Sequence, residues 1–312
     1  MIIQMNNTSS AAVGLRLDEL RDTVGSVALG RVLTLVIIAR DESGIHDGIE
    51  AAAGASQAHP CRIVAVLSIP AAEPRVDAEV RVGPEAGLSE IAILRCYGHA
   101  YSNLDSLITP LILPDTPIFA WWVQSAPSDV SASTIGAMAD RRITSSLILE
   151  DPAAALMNLR STYAPGDTDL AWAGVTLWRN HLAAMLDEQP DEPITHVCIE
   201  GSLHHASTYL LGAWLALRLH APVEFKDTRS PVIDVVRMER SSGDLVLDRP
   251  GGSNFADMCR PGRSKQRVNL PVRSLRSMLI EELREATADT AYADVLHNGL
   301  PLLDYPDTTV SE

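Results

Sequence analysis

Two adjacent arginines, Arg141-Arg142, and a run of three polar residues, Asp167, Thr168 and Asp169, are the side chains here best suited to a charged ligand. A guanidinium offers a planar fork of donors that matches phosphate or carboxylate. A carboxylate beside it could move a proton. Three readings of the arginines stay open: solvated charge at the entry of a strand, a salt bridge to Asp167 or Asp169, or an anion site for a sugar phosphate. The polar run follows Pro165-Gly166, a strong turn signal. Asp167 or Thr168 can cap a helix beginning at Leu170, with Asp169 in its first turn, where its charge complements the helix dipole. One cap needs only one such side chain, so the crowding of three beside Trp172 is unexplained by capping.

Tryptophans supply the second candidate. Trp121-Trp122 ends a predicted strand over Ile118–Val123. The C-terminal strand edge is where open α/β sheets receive ligands and partners. Alternation sends the two indoles to opposite faces, so at most one points into a given crevice. Either could instead be core packing, or an anchor for a protein partner. His204-His205 is a weaker candidate, because neighbouring residues of a helix point about 100° apart and cannot share a metal. The basic group Arg260, Arg263, Lys265, Arg267, Arg273 and Arg276 reads as a solvated loop or as a patch facing an acidic protein.

No enzyme signature accompanies these residues. The sequence lacks a GxSxG elbow, a phosphate loop ending in GK[ST] and a GxGxxG after its first long strand, where RDESGIHDG stands instead. No catalytic constellation, cofactor or metal is expected. Cys61, Cys96, Cys198 and Cys259 form no CxxC pair and no zinc spacing, and the first three lie in or beside apolar runs.

Twenty-five basic against 40 acidic residues give a formal charge of −15, the wrong sign for a nucleic-acid partner. The longest apolar run, Val32–Ala39, is far short of the ~20 residues that cross a bilayer. The N-terminus shows no basic-then-apolar leader. A cytoplasmic protein with no membrane partner is expected.

The elements that must position these residues follow from periodicity. Val32–Ala39 is a β-branched run buried on both faces, the mark of a central parallel strand. A helix over Ser43–Ala55 and a strand over Arg62–Ser68 complete a crossover unit. Strands are predicted at Val76–Val82 (half-exposed or edge), Glu90–Cys96, Ile118–Val123 and Ile143–Leu149, with a turn at Gly83–Gly87. A helix at Leu15–Val24 precedes them, after a polar, frayed stretch 1–11. Asn103–Leu113 reads as a helix kinked at Pro110. The fold class is therefore α/β: an open, mostly parallel sheet flanked by helices over 30–150, preceded by an N-terminal segment, 1–29. Helices over 151–190, capped by Asp151-Pro152, connect it to a smaller α/β (α+β) subdomain, 191–300. That subdomain has strands at Thr195–Glu200 and Val223–Lys226, a helix over Leu203–Leu219, and a hairpin of Val232–Arg240 with Leu245–Leu247. Arg267–Leu270 could extend the sheet, and helices follow from Pro271 to Ala286 and over Tyr292–Leu296. Gln189–Pro193 is a loop, and 301–312 a mobile tail.

The order PGDTDLAW then TLWR (Pro165–Arg179) resembles the glucose-6-phosphate dehydrogenase assembly and effector family, OpcA. So do GRVLTLVI (Gly30–Ile37), DAEVRVG (Asp77–Gly83), SEIAILRCYG (Ser89–Gly98), LPDTPIFAWW (Leu113–Trp122) and RRIT (Arg141–Thr144). The resemblance runs in order from about residue 30 to about 295. It implies a non-catalytic protein that binds glucose-6-phosphate dehydrogenase and modulates its activity or oligomeric state. The expected contact residues are those standing in the matched motifs: Trp121, Trp122, Arg141, Arg142, Asp167, Thr168, Asp169 and Trp172. The alternatives are an enzyme acting on a sugar phosphate, with Arg141, Arg142 and Asp167 or Asp169 as its machinery, and a small-ligand sensor with an α/β pocket.

Overall fold

The computed structural model describes residues 1–24, 32–83, 89–147, 149–187 and 192–305. The expected turn after Gly83, most of the 189–193 loop and the end of the expected tail lie outside the described residues.

The chain opens with a strand, β1 (Ile2–Met5), where a frayed segment was expected. It pairs antiparallel with a later strand, matching Ile3 to Val80, and Ile3 and Met5 pack on the core. The terminal ammonium donates to the Val82 carbonyl at 2.8 Å. Helix α1 (Ser10–Val24) begins five residues before its predicted start and buries Val13, Leu17 and Leu20 at helical spacing. Strand β2 (Leu33–Ala39) is buried at all seven positions. Helix α2 (Glu42–Ala55) starts where the Asp41 carboxylate accepts from the Gly44 amide at 2.8 Å.

Strands β3 (Cys61–Ile69), β4 (Arg75–Arg81) and β5 (Glu90–Tyr97) follow. β4 is not at an edge: β1 covers its outer side, so the alternating pattern reflects one half-covered face rather than an open rim. Helix α3 (Leu104–Ile108) tightens into a 3-10 turn at Thr109–Leu111, because Pro110 has no amide to continue the ladder. Strand β6 (Ile118–Trp122) is followed by β7 (Arg141–Thr144), earlier than the predicted 143–149. Its register with β6 sets Arg141 opposite Phe119 and Arg142 opposite Ala120, so both arginines lie inside the sheet.

Helix α4 (Pro152–Thr162) takes Asp151 as its cap, as its sequence requires. The polar run then forms a short strand, β8 (Asp167–Asp169), and the single helix expected after it is two. α5 (Leu170–Gly174) and α6 (Thr176–Asp187) break at Val175. Glycine followed by two β-branched residues makes this the weakest helical point in the stretch. Strand β9 (His196–Gly201), helix α7 (Ala206–Leu219) and strand β10 (Val223–Asp227) come next. The hairpin is β11 (Ile233–Glu239) with β12 (Leu245–Asp248). An unexpected strand, β13 (Phe255–Cys259), bridges it to β14 (Gln266–Asn269). Helix α8 (Leu275–Glu282) is shorter than its predicted span, and α9 (Thr290–Asp294) runs into a π-turn.

Among the described residues these strands make two sheets, ordered β1-β4-β5-β3-β2-β6-β7-β8 and β10-β9-β11-β12-β13-β14. The chain divides into two compact units. The first comprises 1–145, 164–168 and 275–288 and holds the larger sheet, parallel from β5 through β7. α1 and α3 cover one of its faces with Val36, Ile38, Val64 and Val66, and α2 packs on the other against Ile37, with α8 beside it. The second comprises 146–163, 169–274 and 289–312, with a core that includes Trp172, Trp178, Tyr209 and Tyr292.

Candidate functional site

Arg142 is a buried hub rather than a solvated charge. Its Nε donates to the Asp167 carboxylate, the salt bridge that was one of its sequence readings. Nη1 donates to the carbonyls of Ala139 (2.9 Å) and Gly136 (3.4 Å), and Nη2 to that of Pro165 (2.6 Å). Four of its five donors are thereby engaged within the protein. The other Asp167 oxygen accepts from the Ala164 amide at 2.8 Å. Gly166, at φ 101°, lets its carbonyl turn to the Arg142 amide at 2.9 Å, and a side chain there would strike the Asp140 carbonyl. Arg141 points elsewhere, donating to Glu282 at 2.6 Å and to the Thr287 carbonyl at 2.8 Å. Neither guanidinium is turned outward to receive a phosphate, and Asp167 is not placed to shuttle a proton.

Asp169, not Asp167 or Thr168, is the cap. It accepts from the Ala171 amide at 2.8 Å and, with both oxygens, from the Ser146 amide at 3.1 Å. Thr168 lends its carbonyl to the Thr144 hydroxyl, while its own buried hydroxyl has no partner among the described residues. The three crowded polar residues thus do three different things. Trp172 is buried, donates to Asp289 at 2.8 Å and lies under the Arg179 guanidinium, 3.5 Å from its ring centre. Trp121 is fully buried and donates to Ser145 at 2.9 Å. Trp122 faces the opposite side of the sheet, as alternation requires, and is 5% exposed. All eight residues singled out in the sequence are therefore interior.

His205 does not enter the first turn of α7 but caps it, its Nδ1 accepting from the Ser207 amide at 3.2 Å. Burial pushes its pKa down to about 4, which keeps that nitrogen unprotonated near neutrality. The four cysteines are free thiols; burial raises Cys61 to about 11 and Cys96 to about 12, so both are poor nucleophiles.

A cavity of about 640 Å³ opens in the first unit at the C-terminal ends of β2 and β6. Its lining includes Ile38, Arg40, Tyr101, Leu104, Trp122 and Ile135. The neighbouring N-terminus of α2, where dinucleotide-binding sheets seat a phosphate, is filled by the chain itself. Gln124 accepts from the Arg40 amide at 2.9 Å and donates to both Asp41 oxygens, at 3.0 and 3.1 Å. Asp41 is held below the usual carboxylate range chiefly by the Gly44 amide, so a negative charge already occupies the place of an anion.

Two family models match the chain in succession. Residues 52–161 match the N-terminal domain, and residues 165–296 the C-terminal domain, of a glucose-6-phosphate dehydrogenase subunit. The chain belongs to the OpcA family. Among curated proteins, none matches it. Similar solved structures include an oxidoreductase from Sinorhizobium meliloti, 13% identical, with a TM-score of 0.44 over 87% of this chain and 95% of that one. Myo-inositol 2-dehydrogenase from Lactobacillus plantarum is 7% identical, with a TM-score of 0.38 over 85% and 94%. Apo scyllo-inositol dehydrogenase from Lactobacillus casei is 10% identical, with a TM-score of 0.35 over 85% and 88%. At such TM-scores these likenesses decide nothing about fold or chemistry.

In this OpcA-family chain the PGDTDLAW stretch thus holds one ion pair, one cap and one stacked indole. Its partners Glu282 and Asp289 were missed in the sequence. Each lies more than a hundred residues from the side chain it meets, and no local spacing marks it. Gln124 was missed likewise, being 83 residues from Asp41 with no local spacing to mark it. Among the described residues, no helix is long and apolar enough to cross a membrane.

Proposed function

We propose that this chain is a non-catalytic partner that binds glucose-6-phosphate dehydrogenase and alters its activity or oligomeric state, in the cytoplasm and within the oxidative pentose phosphate pathway. The observation that carries the reading is the extent of the family match, two consecutive subunit domains spanning 52–161 and 165–296. The enzyme alternative loses its machinery, because Arg141, Arg142, Asp167 and Asp169 are engaged inside the fold. A binding partner changes an enzyme only by favouring one of its states over another.

The eight interior residues serve this contact from behind. Arg142 and Asp167 fix the backbone of 136–139 and 164–166, whose Ala137 and Pro165 side chains are exposed. The contact surface itself includes the β14 edge. β14 pairs with β13 alone among the described residues; Arg263, Lys265 and Arg267 are exposed along this hairpin, Arg267 lies over the ring of Phe255, which is 47% exposed, and Lys265 pairs with Asp257. A cationic edge on a chain of charge −15 favours an acidic partner segment.

The test is an assay of glucose-6-phosphate dehydrogenase from the same organism, across substrate concentrations, with and without this chain. A saturable shift in apparent affinity or turnover, absent with the chain alone, together with co-elution on a sizing column, is the expected result. Neither a shift nor co-elution would end this reading.

A further inference from the structure

The cavity between β2 and β6 is an unclaimed site, and its position is the first reason. From β2 the chain continues through β3 and β5 on one side, then returns as β6 on the other. The crevice above the C-terminal ends of β2 and β6 is therefore the point where strand order reverses, the general ligand position of open α/β sheets.

The second reason is that its polar groups are open to a ligand. Around the cavity, the exposed Arg40 guanidinium makes no hydrogen bond within the protein among the described residues, and neither do the half-buried Tyr101 hydroxyl and the Trp122 indole N–H. The same holds for the side-chain hydroxyls of Ser68, Ser102, Ser125 and Thr134. Such groups are the donors and acceptors a ligand would use.

Third, the wall is already set. In the loop after β6, Asp129 accepts from the Ser131 hydroxyl (2.8 Å) and the Ala132 amide (2.9 Å). Ser133 donates to the Val130 carbonyl at 2.6 Å and accepts from the Gly136 amide at 3.1 Å. Arg142 holds the end of the same loop through Gly136 and Ala139. A loop held by its own hydrogen bonds has less freedom to lose on binding.

The lining chooses the ligand. It carries one cation, Arg40, and no carboxylate, the neighbouring Asp41 being turned to the Gly44 amide and Gln124, so it favours a single anionic group over a cation. Trp122 with Ile38, Leu104 and Ile135 offers an apolar surface for a carbon skeleton, and the hydroxyls ring it. A volume near 640 Å³ suits a small metabolite. We propose that this cavity binds a hydroxyl-bearing organic anion of the sugar-phosphate or hydroxy-acid class, its anionic end at Arg40 and its skeleton against Trp122. The inference goes beyond the partner reading and stands or falls on the isolated chain.

Titration calorimetry on the full chain tests it, using glucose 6-phosphate, gluconate, citrate, glucose and inorganic phosphate up to about 10 mM, where even a millimolar site fills. The expected result is saturable binding of at least one organic anion, with glucose and inorganic phosphate each roughly ten-fold weaker or undetectable. Arg40→Ala should weaken that binding roughly 10- to 100-fold. Ser102→Leu should also weaken it, by narrowing the cavity. Both positions are exposed, so the melting temperature of each variant should match that of the parent. No saturable binding by any organic anion, equal binding of inorganic phosphate alone, or binding unaltered by both substitutions would each overturn the proposal.

Discussion

Arg142 shows how much one buried guanidinium can organise. It neutralises Asp167, satisfies three carbonyls and joins two loops that are far apart in sequence. Removing either member of such a pair leaves a charge in low dielectric, at a cost of ~3–5 kcal/mol. Arg142→Met and Asp167→Asn should each lower the stability measured by denaturant unfolding by about that amount, and the double variant should lose less than their sum. Thr168 tests the opposite case. Its hydroxyl is buried without a partner, so Thr168→Val should be neutral or stabilising by up to ~1 kcal/mol, read as a change in denaturation midpoint. The pairing of Arg142 with Asp167 was among the readings its sequence allowed. Burial was not legible, because an Arg-Arg doublet at a strand start looks the same whether its partners are water or a carboxylate 25 residues on.

At the scale of elements, local chemistry was the surest guide. Asp151-Pro152 before α4 sits where its types demand, and Val32–Ala39 is the central strand its β-branched run announces. The misses are places where tertiary pairing overrode a weak local signal. β13 is five residues long between turn sequences, and β7 slid to bury its arginines. α7 yields a pH prediction. The His205 pKa falls from 6.5 to about 4 on folding. Between those values the unfolded chain takes up a proton that the folded chain refuses. That contribution to stability is complete above pH 6.5 and is lost as pH falls towards 4, reaching on the order of 2 kcal/mol for a half-buried ring. His205→Asn keeps a capping side chain but does not titrate there, so its unfolding free energy should lack this part of the acid slope. β14 yields another. Neutralising Arg263, Lys265 and Arg267 to Gln should weaken association with the dehydrogenase roughly ten-fold, while the loss of the exposed Lys265–Asp257 pair lowers the melting temperature only slightly, as read by titration and thermal melts.

For the whole molecule, periodicity gave the α/β class and the smaller hairpin-bearing sheet, while composition set the expectations of no nucleic-acid and no membrane partner. What could not be read was which distant segment completes which unit. β1 joins the far side of β4, and α8 belongs with 1–145 although more than a hundred residues of the second unit intervene. Raising ionic strength offers a check at this scale: if the cationic edge steers association, the on-rate for the dehydrogenase should fall as salt rises, measured by stopped-flow.

The late arrival of α8 has a consequence for synthesis. Glu282 is translated 141 residues after Arg141. At ~5–20 residues per second that is a delay of roughly 7–28 s. During that interval the nascent chain carries a guanidinium whose carboxylate does not yet exist, and α2 lacks the helix that packs beside it. The first unit therefore cannot be completed until most of the second has been translated, and a holding chaperone has a defined stretch of nascent chain to shield.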